Sequence, residues 1–60
     1  MDENIRQIQG HFSAAREWLE VAENAIANEN FLLAAEALGK ANQLTRDAEI
    51  DIARVWKVPR

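Results

Sequence analysis

Residues 27–31 read ANENF, and this stretch decides between one rod and two. The only proline is Pro59 and the only glycines are Gly10 and Gly39, so nothing between residues 3 and 57 breaks a helix outright. An unbroken helix of ~55 residues would be ~80 Å long at the usual rise. In ANENF, Asn28 can adopt the left-handed conformation that ends a helix. Asn30 is a favourable N-cap for the next one. The reading is therefore a first helix over about 3–28, a turn at 28–30 and a second helix over about 31–57. Val58 precedes a proline, which disfavours helix there. The whole of 1–60 is one all-α, antiparallel helical-hairpin domain.

Apolar spacing supports both helices. In the first, Ile5, Ile8, Phe12, Ala15, Leu19, Ala22 and Ile26 alternate steps of three and four. In the second, Ala34, Leu38, Ala41, Thr45, Ala48, Ile52 and Val55 do the same. This is the spacing of supercoiled, packed helices. Thr45 is the one polar member, and a threonine can bond back to its own helix. Each apolar stripe is also broad. Ala14, Trp18, Val21 and Ala25 widen the first, and Phe31, Ala35, Leu44 and Trp56 widen the second. A broad stripe suits a helix with two neighbours. One hairpin supplies only one, and the remaining strip would face water. We therefore expect a homodimer that forms a four-helix bundle, with these residues as its core.

The second helix is unusually rich in small residues: Ala34, Ala35, Ala37, Gly39, Ala41, Ala48 and Ala53. Small residues let helices approach at the short end of the usual ~8–10 Å separation. Ala34, Ala41 and Ala48, seven apart, read as close-packing positions. Trp18 and Leu19 are the large chains expected to fill the space above them. Ala37 and Ala53 lie off the stripe and read as plain helix formers.

Residues 15–44, AREWLEVAENAIANENFLLAAEALGKANQL, resemble one tetratricopeptide repeat. Trp18, Val21 and Ala22 match the marks of that family's first helix. Phe31, Ala34 and Ala41 match those of its second. Ala25 stands where an aromatic is usual, Glu29 where glycine is usual, and Arg46 where the repeat ends in proline. Such repeats normally share a core over about three copies, and the chain carries one. The resemblance implies an antiparallel hairpin and a protein- or peptide-binding module. No ligand-binding residue carries over from it.

Sixty residues without cysteine cannot be stapled by disulfides or a thiolate metal site. Self-association or very regular helix packing remains. The net charge of −3 argues against a nucleic-acid partner, which needs clustered Lys and Arg. No stretch approaches the ~20 apolar residues of a membrane span. No apolar run follows a basic start, so no secretory signal is expected. The expected location is the cytoplasm.

No catalytic, cofactor-binding or metal-binding residue is assigned. The Glu-x-x-His pairs of two-metal bundles are absent. Glu17, Glu20 and Glu23 read as a solvated acidic flank. Asp47 and Asp51, beside Arg46 and Arg54, read as exposed. His11 reads as a boundary histidine with one edge in water. Gly10 and Gly39 are each either a close-approach point or a costly helix residue. Residues 1–30 carry six acids and two bases, and residues 31–60 four acids and five bases, sums of −4 and +1. That imbalance slightly favours antiparallel pairing. At the end, RVWKVPR, the bases complement the helix dipole and Trp56 is expected to close the core. The leading function is a small non-enzymatic interaction, adaptor or regulatory protein whose protein partner is unidentified. The alternative is a nucleic-acid-binding regulator of the hairpin-dimer type. Glu36, Asp47, Glu49 and Asp51 interrupt the only helix face that would serve it.

Overall fold

A computed structural model describes residues 2–56. It contains two α-helices, α1 (Asp2–Ala27) and α2 (Phe31–Trp56), and no strand among those residues. They pack side by side as an antiparallel hairpin. The Cα atoms span 45 × 23 × 11 Å, so the molecule is one helix thick. The readings made above for Lys57, Val58, Pro59 and Arg60 lie outside the described residues.

The turn is built from backbone hydrogen bonds. The Asn30 N–H donates to the Ala25 carbonyl at 2.8 Å, and the Glu29 N–H to the Ile26 carbonyl at 2.9 Å. These are the two bonds of a Schellman cap, which needs a left-handed residue just past the helix. That residue is Glu29, with φ of 58°, not Asn28 as the sequence suggested. Asn28 instead ends the helix itself: its N–H donates to the Asn24 carbonyl, and so does its side-chain amide. Asn30 caps α2 as expected, its Oδ1 accepting from the Leu33 N–H at 3.2 Å.

Every buried residue among those described is an alanine: Ala15, Ala22 and Ala25 from α1, and Ala34, Ala37, Ala41 and Ala48 from α2. The apolar stripes read from the sequence therefore split. In α1 the row that meets α2 is Ile8, His11, Ala15, Trp18, Ala22 and Ala25, all buried or half-buried. In α2 it is Ala34, Ala37, Ala41, Leu44, Ala48, Asp51 and Val55, likewise buried or half-buried. Both rows step by three and four.

Three expectations are corrected here. Ala37 is no mere helix former, being 0% exposed at the seam, whereas Ala53 is exposed. Leu19 does not cover the alanines but stands exposed, and Trp18 is only half-buried. Gly39 is no close-approach point: a Cβ built there, or at Gly10, meets nothing within 4 Å.

Glu29→Gly relieves a left-handed conformation that strains L-residues by about 1–2 kcal/mol, so the denaturation midpoint should rise. An unchanged midpoint would mean that the turn carries no such strain. Ala37→Leu and Ala41→Leu should each overpack the seam and cost about 1–3 kcal/mol. Gly39→Ala, with open space around it, should instead gain about 1 kcal/mol. Equal effects at all three positions would contradict an alanine seam.

Candidate functional site

With alanines between the helices, the large apolar chains stand outside. Ile5, Phe12, Leu19 and Ile26 form one row on α1, each seven residues from the next, and all four are exposed. Phe31, Leu38, Thr45 and Ile52 form the matching row on α2 and are exposed too. Residues seven apart lie almost above one another on a helix, so each row runs straight along its axis.

The two rows share one face of the hairpin. Near the turn, Leu19 and Ile26 from α1 meet Phe31 and Leu38 from α2 across an open groove of about 710 Å³, floored by Ala22 and Ala34. The sevenfold spacing carries the two rows on from the groove, α1 through Phe12 to Ile5 and α2 through Thr45 to Ile52. Phe31 is 66% exposed, and Trp56, at the far end of α2, is 70% exposed. Trp56 therefore does not close the core of the hairpin. Glu23 borders the groove, closer to the apolar rows than its place on the acidic flank suggested. Glu17 and Glu20 are exposed.

Thr45 interrupts the apolar rows, yet its hydroxyl is already satisfied. It donates to the Asn42 carbonyl of its own helix at 2.9 Å. A polar group with its hydrogen bond made internally can be covered at little further cost.

The opposite side of the hairpin is mixed in character. Trp18, Leu33 and Ala37 lie there beside Glu36, Lys40 and Gln43. Towards the open end a shallow depression is lined by Gln7, His11, Asp47, Ile50, Asp51 and Arg54. The Nε2 atom of His11 lies 3.1 Å from Asp51 Oδ2, and both side chains are mostly shielded from water. An ionised carboxylate only accepts, so the imidazole carries its proton on Nε2 in this contact. Arg54 Nη1 approaches the other carboxylate oxygen at 3.7 Å. Asp51 was expected to be exposed. It is drawn inward because it occupies a seam position opposite His11. Among the described residues this hydrogen bond is the one contact between titratable side chains that crosses between the helices, so the charge imbalance between them does not act through a ladder of salt bridges.

The residues singled out from the sequence thus fall into three sets. Ala15, Ala22, Ala34, Ala41 and Ala48 are buried in the seam. Ile8, Trp18 and Val55 are half-buried at its edges. Ile5, Phe12, Leu19, Ile26, Phe31, Leu38, Ile52 and Trp56 are exposed. Sequence reasoning set Ala25 and Leu44 beside the main stripes and His11 at their boundary, missed the seam roles of Ala37 and Asp51, and passed over the exposed Leu32, Leu33 and Ile50. The signal was present, because the seam rows are as periodic as the apolar stripes but are centred on the smallest side chains.

Among the described residues, no three His, Asp or Glu side chains come together as a metal-ligand group. No described helix is long and apolar enough to cross a membrane.

A double-mutant cycle on His11→Ala and Asp51→Ala, measured by chemical denaturation, should give a coupling energy of about 1 kcal/mol, the upper end for a pair partly open to solvent. Strict additivity would show that the contact contributes nothing to stability.

No protein-family model, curated protein or solved structure matches this chain.

Proposed function

We propose that this chain is a small, non-enzymatic interaction protein of the cytoplasm that works as a homo-oligomeric helical bundle and presents its surface to a protein partner. One observation carries the reading: among the described residues the hairpin fully buries only alanines and leaves most of its large apolar side chains exposed. A buried methyl contributes about 0.8 kcal/mol, whereas a fully buried Leu, Ile or Phe contributes about 1.5–3 kcal/mol. Most of the stabilisation available to this sequence is therefore unused within one chain. A domain normally has two packed layers around its core, and the hairpin supplies one. The tetratricopeptide-like spacing of Trp18, Phe31, Ala34 and Ala41 belongs to the same proposal and favours a protein or peptide as the further partner.

Sedimentation equilibrium and thermal melting across a concentration series test this reading. The expected mass in the micromolar range is that of two chains, with a melting temperature that rises with protein concentration, since association stabilises by mass action. A single chain with a cooperative, concentration-independent melt would overturn it.

A further inference from the structure

We infer that the second copy seats on the face carrying Phe12, Leu19, Leu38 and Thr45, and not on the face carrying Trp18 and Leu33. This rests on the self-association proposed above and deepens it by assigning the surface. Three observations favour a second copy as the occupant of this face.

The first is shape. The apolar strip is two helices wide and runs from Ile5 to Ile26 and from Phe31 to Ile52. A lone amphipathic helix would fill the groove between the rows and leave their outer sides wet. An occupant that covers both rows along their length must be about two helices wide and as long as the hairpin, dimensions that a second copy has. The second is area. The 45 × 23 Å outline of the hairpin bounds the footprint of one face at about 1,000 Å², room enough for the ~800 Å² per partner of a standard stable interface.

The third is polarity. On the chosen face the one polar member of the rows, Thr45, has its hydroxyl bonded to Asn42, and Glu23 at the rim is the one charged side chain lining the groove. On the other side a second copy would desolvate Glu36, Lys40 and Asp47, which form no ion pair among the described residues. Burying unpaired charge is costly. The same polarity difference leaves the Trp18 side open to water in the dimer.

The chain has no cysteine, so single cysteines can report on each face. Thr45→Cys is a small change at the centre of the proposed interface, and Gln43→Cys lies on the other side. Each is treated with a maleimide over the concentration range in which sedimentation follows the wild-type mass. The inference requires Thr45→Cys to lose its reactivity as the two-chain species forms, while Gln43→Cys keeps its own. In parallel, Leu38→Glu should weaken association about 100-fold or more, since a charge would have to be buried. Leu33→Glu should change it less than about threefold.

A two-chain wild type in which Thr45→Cys stays reactive, or in which Leu33→Glu dissociates the dimer and Leu38→Glu does not, overturns the assignment of the face and leaves self-association standing. A wild type that remains one chain overturns both.

Discussion

Along most of the line where α1 meets α2, nothing larger than a methyl group lies fully buried between them. Seven alanines are the fully buried part of that contact, and the rest of the structure depends on it. Small residues let the helix backbones approach, and dispersion falls steeply with separation, so a close seam is a well-packed one. The large apolar chains are at most half-buried at the seam, as Ile8, Trp18, Leu44 and Val55 are, or exposed beside it. The two exposed rows on one face follow directly from the alanines in the seam. Of the bundle core expected from the sequence, Ala15, Ala22, Ala34, Ala41 and Ala48 lie in the hairpin seam, while most of the large apolar residues are exposed beside it.

The turn shows how local chemistry and chain geometry can diverge. ANENF carries two asparagines, and both have a structural task, yet neither takes the left-handed conformation. Glu29 does, at the very position where the tetratricopeptide-like pattern has glycine. The assignment is dictated by the cap: its bonds to the Ala25 and Ile26 carbonyls require the left-handed residue one place beyond Asn28. The long glutamate side chain is tolerated because it points into solvent at a tip where nothing packs against it.

Polar groups inside the seam serve a different end from the alanines. His11 and Asp51 face each other at positions where the row would otherwise hold another apolar residue. Methyl groups are alike, and a row of them tolerates sliding along the helix axis. A hydrogen-bonded pair does not, because a shift by one turn breaks the bond and strands both partners. The pair thus helps set the register of a contact whose other members are nearly interchangeable.

From the residues alone, the helices, their approximate limits, the hairpin and the N-cap at Asn30 were all legible. They depend on interactions within a few residues of one another: caps, spacing by three and four, and the absence of breakers. The sequence also showed that each helix carries more apolar surface than one neighbour can cover. Which part of that surface is turned inward was decided only by the tertiary structure. Two periodic rows lay side by side on each helix, one of large residues and one of small, and periodicity cannot rank them. Close approach between two helices selects the small row, so Ala37 and Asp51 came to the seam while Leu19 and Trp56 remained outside. That selection is a property of two surfaces meeting, and no single helix contains it.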